Sequence, residues 1–284
     1  MPSVSLNGAD LYYEAHGAGP PILFVHGMCG NANVWDDQAA RLAGRFRCLT
    51  YDRRGHSRSS LGAVQQRTVG LHGDDAAALI RALGLAPCLL VGSSGGARVA
   101  LDVVRRYPEL LRGAVLSEPP LFALDPAGGA RFQAELRPAL EQALAAGGPR
   151  AAVDVFFEHV CPGLWRMLDE ERREGYRANA GELLPDLQMP PYHVGRDDLA
   201  RVRVPCLVLK GDRSHPVLMR IADRLAEALP GAELVTVRGC GHVTYAEQPA
   251  AFAAAVRAFA AGSRAPALSR RALPSTSANA TKRA

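Results

Sequence analysis

The sequence Leu89-Leu90-Val91-Gly92-Ser93-Ser94-Gly95-Gly96-Ala97 decides the fold of this chain. Its apolar first part predicts a buried strand, and the residues after Gly95 predict a helix. A strand that turns at once into a helix holds the corner residue, Ser94, in a strained conformation with its hydroxyl exposed. Only small neighbours tolerate that corner, which explains glycine two residues before and two residues after Ser94. The stretch therefore predicts a nucleophilic serine at the carboxyl end of a strand.

Apolar strand-like runs and helical patterns alternate on both sides of this corner. The strand-like runs are Ile22–Val25, Arg47–Tyr51, Gly113–Leu116, Val204–Lys210 and Glu233–Val237. This alternation predicts an α/β fold with a doubly wound, mostly parallel sheet, preceded by a hairpin at Asn7-Gly8. It lapses between residues 121 and 198, where helical and proline-broken segments predict a helical cap inserted between two strands. We expect a core formed by residues 1–120 and 199–261, with the cap at 121–198.

The chain resembles the α/β-hydrolase superfamily from about Leu11 to Ala261. The resemblance rests on Gly-x-Ser-x-Gly around Ser94, on His26-Gly27 after the first buried strand, and on Asp52-Arg53-Arg54-Gly55-His56-Ser57-Arg58-Ser59. It implies that the backbone N–H groups of Met28 and Gly95 form an oxyanion hole, and that the cap covers the active site. We interpret the arginine-rich loop as structural and solvated, and His56 as non-catalytic.

His242 is the candidate base for Ser94. It follows the last strand within Gly239-Cys240-Gly241-His242 and precedes Glu247-Gln248-Pro249. This layout is similar to the catalytic-histidine loop of the superfamily. A serine hydroxyl is a poor nucleophile until a base removes its proton, so a histidine in this setting indicates catalysis.

The acid that orients the histidine has two candidates. In most α/β-hydrolases it is the aspartate of a Gly-x-x-Asp turn, but the fourth position of Gly211-Asp212-Arg213-Ser214 is a serine. Asp212 holds only the second position of that turn. Glu118 ends the strand next to the nucleophile strand, so it opens onto the same crevice, and two prolines follow it. The chain is similar here to the fungal zearalenone lactonases, which draw a glutamate from this strand end, and we favour Glu118 over Asp212.

Bulky apolar residues of the predicted cap are candidates for the substrate pocket. We select Phe156, Trp165 and Tyr192, although packing inside the cap is the alternative interpretation for each of them.

Composition excludes several classes of function. The chain has 284 residues, 33 basic and 28 acidic, and five of the basic ones lie between residues 262 and 284 without any acidic residue. Subtracting these five leaves 28 basic residues against 28 acidic ones, so the charge excess belongs to a predicted disordered basic tail. This count does not support nucleic-acid binding. No apolar run reaches the length of a membrane span.

The scattered cysteines show neither disulfide nor metal-ligand spacing, and Met1–Val4 lacks the layout of a signal peptide. We therefore expect a cytoplasmic protein without metal or cofactor; the sequence leaves its oligomeric state open.

The sequence predicts a cofactor-free serine hydrolase that cleaves a small-molecule carboxylic ester or lactone through an acyl-enzyme. C–C bond hydrolysis and perhydrolysis by the same triad remain open, as does a low-turnover ligand receptor. Epoxide and haloalkane opening require an aspartate nucleophile, and Ser94 argues against them.

Overall fold

A computed structural model describes residues 2–64 and 66–262. Its eight strands form one sheet in the order β1-β2-β4-β3-β5-β6-β7-β8. The strands are β1 Ser3–Leu6, β2 Ala9–His16, β3 Pro21–Val25, β4 Arg47–Tyr51, β5 Cys88–Ser93, β6 Leu111–Ser117, β7 Cys206–Gly211 and β8 Glu233–Val237. Strands β1 and β2 form the predicted antiparallel hairpin, and β2 also pairs antiparallel with β4. All other pairs are parallel, which confirms the predicted fold class.

Helices cover both faces of the sheet, which explains why the central strands are continuous apolar runs. Strand β5 is buried at every position, and β3 at every position after Pro21. The α-helices are α1 Asp36–Leu42, α2 Val69–Ala82, α3 Gly95–Arg106, α4 Pro126–Val160, α5 Pro162–Met167, α6 Glu170–Arg177, α7 Ala180–Leu187, α8 Arg196–Ala200, α9 Pro216–Ala228, α10 Thr244–Glu247 and α11 Pro249–Ala260. Short 3-10 helices span Ala32–Trp35, Pro108–Leu110 and Phe122–Leu124.

The described chain between β6 and β7 contains only helices and connecting segments. We call residues 122–200 the helical insertion; they include α4 to α8. Helix α4 is broken at Gly148, where φ is +72°, a value that glycine adopts without the steric penalty of a side chain. Pro149 follows at once and cannot supply the N–H that a continuous helix needs at that point. The insertion occupies the segment for which the sequence predicts a cap.

The register of the sheet brings three loops to one edge. Val25 of β3 pairs with Gly92 of β5, and Ser93 of β5 pairs with Ser117 of β6. The next residue after each strand is His26, Ser94 or Glu118. Ligand sites of open α/β sheets lie at the carboxyl ends of the strands, so these residues start a common crevice.

Two further sequence predictions concern the basic tail and membrane spans. The predicted basic tail, residues 262–284, lies outside the described residues except for its first residue, Gly262. Within the part of the chain that the structure describes, no helix combines the length and apolarity of a membrane span.

Candidate active site

Ser94 occupies the corner between β5 and α3. Its φ of +53° and ψ of −123° are unusual for a residue with a side chain, and such strain persists only where the surrounding structure holds it. A Cβ on Gly92 would lie 2.4 Å from the Gly96 carbonyl oxygen, and one on Gly96 would lie 2.1 Å from that of Val25. Both distances are shorter than a Cβ contact allows. The two glycines are therefore required by close backbone approach, as the sequence predicts.

Glu118 lies directly after β6 and is fully buried. Its φ of +44° turns the chain away from the strand, and Pro119 and Pro120 follow. Its carboxylate accepts three hydrogen bonds: from the Gly211 N–H to Oε1 at 2.8 Å, and from the Ser214 hydroxyl and His242 Nδ1 to Oε2. These donors fix the orientation of the carboxylate.

His242 Nδ1 donates to Glu118 Oε2 at 2.7 Å, and the imidazole is almost completely buried. An ionised carboxylate only accepts hydrogen bonds, so the ring proton of a neutral His242 is on Nδ1 and Nε2 carries a free lone pair. The Glu247 carboxylate accepts the N–H groups on both sides of the histidine, from Gly241 at 2.8 Å and from Val243 at 3.3 Å. The Glu-x-Pro part of the sequence motif therefore holds the loop that carries His242.

Asp212 lies elsewhere. It is exposed, and its Oδ1 accepts the Gly239 N–H at 2.6 Å. The structure therefore brings Glu118, and not Asp212, into hydrogen-bond contact with His242.

Ser94 and His242 line the same cavity, together with Met28 and Phe156. Within residues 2–64 and 66–262 the Ser94 hydroxyl has no side-chain hydrogen-bond partner, His242 included. Such contacts often tighten only when substrate binds.

The loop after β3 approaches the corner at Ser94. The Met28 nitrogen lies 3.7 Å from the position of a Cβ on Gly95, so the two backbone N–H groups assigned to the oxyanion hole are neighbours. His26 fixes this loop: its Nε2 accepts the Arg53 N–H at 2.9 Å, and its Nδ1 donates to the Gly27 carbonyl at 2.8 Å. Burial and the nearby Arg53 cation hold the pKa of His26 well below its usual value, which keeps the ring neutral.

The arginine-rich loop is structural, but the expectation that it is solvated is wrong. Arg53 and Arg54 are among the most buried side chains. Arg54 binds both oxygens of Asp75 at 2.7 Å, and Arg53 binds Asp186 Oδ2 at 2.6 Å and the Gly27 carbonyl at 3.1 Å. Asp186 belongs to α7, so Arg53 joins the helical insertion to the loop that carries Met28. Burial favours the neutral form of Asp186, but Arg53 and His56 outweigh it and hold its pKa well below the usual value.

The larger cavity at this site has a volume of about 540 Å³, within the usual range for small-molecule sites. Much of its wall is apolar and comes from both the core and the helical insertion; it includes Phe122, Phe132, Leu136, Phe156, Val160 and Leu218.

The three pocket candidates of the sequence have different positions. Phe156 lines the cavity, and so does Tyr192, whose hydroxyl accepts a hydrogen bond from Arg105 at 3.0 Å. Trp165 does not line it: the indole stacks on Phe157 at 4.7 Å between centroids and lies 6.0 Å from the Tyr176 ring. Trp165 therefore packs inside the insertion, where its apolar area is buried against other aromatic rings.

Arg98 is a wall residue that sequence reasoning missed. It lies one helical turn after Ser94 on α3 and lines the cavity. An arginine in an amphipathic helix is usually solvent-facing, so the sequence pattern gave no sign that Arg98 faces a cavity. Burial lowers the pKa of Arg98, but a guanidinium remains charged at neutral pH.

One group of residues could hold a metal ion. Ligand atoms of Glu135, His159 and His215 lie within 4.8 Å of one another, and His159 Nε2 is buried without a partner among the described residues. Two imidazoles and a carboxylate suit a divalent transition ion. The residues are too far apart in the chain for their spacing to reveal this.

The cysteines do not compete with Ser94 as nucleophiles. All six are buried and free, including Cys29 and Cys240 near the site. Burial raises the pKa of Cys240 to about 12 and raises that of Cys29 further, so both are protonated thiols at neutral pH.

Comparison with known proteins agrees with this arrangement. Residues 22–255 match the family model described as the alpha/beta hydrolase family, and the chain belongs to this family. A serine at a strand-to-helix corner of a mostly parallel sheet is typical of α/β-hydrolases.

Relatives share different parts of the chain. The putative carbamate hydrolase RutD of Azorhizobium caulinodans is 29% identical over 262 residues, which cover 89% of this chain and 95% of RutD. The uncharacterized hydrolase YraK of Bacillus subtilis is 39% identical over 123 residues, but the match spans only 43% of this chain and 45% of YraK. Est816, an N-acyl homoserine lactone degrading enzyme, has a similar structure with a TM-score of 0.75 at 23% identity, covering 91% of this chain and all of Est816. These matches support a hydrolase of the α/β type.

Proposed function

We propose that this protein is a serine hydrolase that cleaves a carboxylic ester or a lactone through an acyl-enzyme. The observation that carries the proposal is the 2.7 Å hydrogen bond from His242 Nδ1 to Glu118, formed in the wall of the cavity that also contains Ser94. It leaves Nε2 of His242 free to accept the proton of a nucleophile in that cavity.

Acylation begins when Ser94 attacks the substrate carbonyl and His242 takes the hydroxyl proton. The buried Glu118 carboxylate keeps the ring in the correct tautomer and stabilises the imidazolium that forms. The N–H groups of Met28 and Gly95 hold the negative oxygen of the tetrahedral intermediate, an effect worth about 3 kcal/mol for each donor. Protonated His242 then gives its proton to the leaving alkoxide.

Deacylation repeats these steps with water as the nucleophile. His242 removes a proton from the water, and the same two N–H groups hold the second oxyanion. The bond between the acyl carbon and the Ser94 oxygen then breaks, and protonated His242 returns the proton to that oxygen as the acid product leaves. No step of this mechanism requires a redox group or a metal.

The helical insertion acts in this proposal as a cap that selects the substrate. Phe156 and Tyr192 contribute to the cavity wall, whereas Trp165 stabilises the insertion from inside. A cavity of about 540 Å³ suits a small-molecule ester or lactone.

A substrate panel tests the proposal. We expect the purified protein to hydrolyse p-nitrophenyl esters of graded acyl length or lactones of graded ring size, and Ser94→Ala and His242→Ala to abolish the activity. An aryl carbamate belongs in the panel, because RutD bears the name of a putative carbamate hydrolase. Hydrolysis that persists in Ser94→Ala would contradict the proposal.

A further inference from the structure

Arg98 is a cation without a partner in the wall of the cavity. Its side chain makes no hydrogen bond and no ion pair with any residue of 2–64 or 66–262, and its Nε is completely buried. The two fully buried arginines among the described residues are different: Arg53 is paired with Asp186, and Arg54 with Asp75. The side chain of Arg98 as a whole is half-buried and lines the cavity, so its guanidinium is available to pair with an anionic group of a bound ligand.

The guanidinium of Arg98 faces the reacting centre. A terminal nitrogen lies 3.9 Å from the position of a Cβ on Gly95, whose N–H belongs to the proposed oxyanion hole. A group held by Arg98 would therefore lie only a few bonds from the carbonyl that Ser94 attacks.

The one acidic side chain among the described residues that line the cavity, that of Asp186, attracts Arg98 but is already paired with another arginine. Asp186 lines the same wall, but its Oδ2 is held by Arg53 at 2.6 Å, while its Oδ1 has no partner among the described residues. Arg137 and His193 also line the cavity, and both are exposed. The cavity thus has an excess of positive charge and an otherwise largely apolar wall.

We propose that Arg98 is a carboxylate-binding subsite, and that the substrate is an ester or lactone whose acyl part carries a carboxylate a few bonds from the scissile carbonyl. This inference rests on the proposed serine hydrolase function and names its substrate class. The guanidinium can accept a carboxylate through two parallel hydrogen bonds, which gives orientation as well as affinity. The apolar wall packs against the carbon frame of the acyl chain.

A matched pair of esters tests the subsite. Monoethyl glutarate and diethyl glutarate have the same acyl chain and leaving group, and differ in one carboxylate. We expect the wild type to have the higher kcat/KM for the monoester, and Arg98→Gln to lower that preference about 10- to 100-fold, the usual effect of losing a hydrogen bond between charged groups. The diester should lose less than the monoester does, since it lacks the anionic group, and the ratio of the two kcat/KM values is the readout. An equal loss for both esters, or no preference in the wild type, would overturn the subsite.

Two further arginines serve as controls. Arg112, on β6, also has nitrogens without partners but does not line the cavity, so Arg112→Gln should leave the ester preference unchanged. Arg137→Gln removes the exposed cation of the same cavity. If it lowers the preference as much as Arg98→Gln does, a general positive field and not a subsite at Arg98 selects the anion.

Direct binding separates the subsite from turnover. We expect glutarate to bind the Ser94→Ala variant in calorimetry and to lose at least about tenfold in affinity in Ser94→Ala/Arg98→Gln. If neither ester is hydrolysed but glutarate binds through Arg98, the proposed hydrolase function fails and the subsite stands. If diethyl glutarate is hydrolysed but glutarate does not bind, the subsite fails and the hydrolase stands.

Discussion

The Ser214 hydroxyl donates to Oε2 of Glu118, the same oxygen that His242 Nδ1 contacts at 2.7 Å. Ser214 stands at the fourth position of the turn after β7, where most members of the family carry the acid. The side chains at 118 and 214 therefore reach the same point beside the imidazole from two neighbouring strands. Two different strand ends can thus supply a carboxylate to this point.

The first prediction concerns the identity of the acid. Glu118→Gln should lower kcat/KM about 10²- to 10⁴-fold, because an amide cannot hold the required tautomer or stabilise the imidazolium. Asp212→Asn should leave kcat/KM within about twofold, because Asp212 binds the Gly239 N–H and not the histidine. Steady-state kinetics on one p-nitrophenyl ester compares the two variants. The opposite ranking would exclude Glu118 as the acid.

The second prediction concerns a variant in which the carboxylate is transferred from position 118 to position 214. In the double variant Glu118→Gln/Ser214→Asp, an aspartate at 214 brings a negative charge to the point where the Ser214 hydroxyl now contacts Glu118. We expect at least about tenfold recovery of kcat/KM relative to Glu118→Gln alone, since a carboxylate beside His242 is restored. Glu118→Gln/Ser214→Asn is the matched neutral control. Equal rates for the two double variants would show that position 214 cannot reach the imidazole.

The sequence predicted much of this site because the information is local. The corner at Ser94 follows from two glycines and an apolar run, and Glu118 from its place at the end of the neighbouring strand. The features that were missed depend on residues far apart in the chain. The loop was expected to be solvated, but Arg53 is buried, and the sequence could not show this because its partner, Asp186, is 133 residues away on the helical insertion.

The helical insertion was the least predictable part. Trp165 and Phe156 are both large aromatic residues of the predicted cap, so the sequence does not distinguish them. Tertiary packing decides that the Trp165 indole stacks on Phe157 while Phe156 lines the cavity. Arg98 has the spacing of an ordinary charged residue on a helix. Its role depends on what covers that face of α3.

The third prediction concerns the buried ion pair of Arg53 and Asp186. Asp186→Asn leaves the Arg53 guanidinium buried without a counter-charge and should lower the free energy of unfolding by about 3–5 kcal/mol. Asp154→Asn is the control, because Asp154 pairs with Arg177 near the surface of the same insertion. This substitution should change the free energy of unfolding by about 1 kcal/mol or less. Urea unfolding followed by fluorescence measures both. Equal effects would show that the buried pair does not tie the insertion to the core.

The fourth prediction is a pH dependence of stability. Burial lowers the pKa of His72 well below 6.5, and neither ring nitrogen has a partner among the described residues. The unfolded chain therefore binds a proton that the folded protein excludes, so stability is complete above about pH 6.5 and falls as the pH drops below it. The lowered pKa of His26 also decreases the stability of the fold as the pH falls.

His72→Leu tests this linkage. Below about pH 6.5 each such histidine contributes up to about 1.4 kcal/mol per pH unit, so His72→Leu should make the decrease in the free energy of unfolding correspondingly shallower. His193→Leu, at an exposed histidine, should leave the slope unchanged. Denaturant unfolding between pH 7 and 5 gives the slopes. An unchanged slope in His72→Leu would show that His72 does not exclude the proton.

Labelling with a fluorophosphonate tests the central claim most directly, because the reagent reacts with a serine that a neighbouring base activates. Intact-mass analysis and peptide mapping should find one adduct, on Ser94, and none in Ser94→Ala. Labelling of His242→Ala should be at least about 10²-fold slower. An adduct on another residue, or a labelling rate that is independent of His242, would contradict the account.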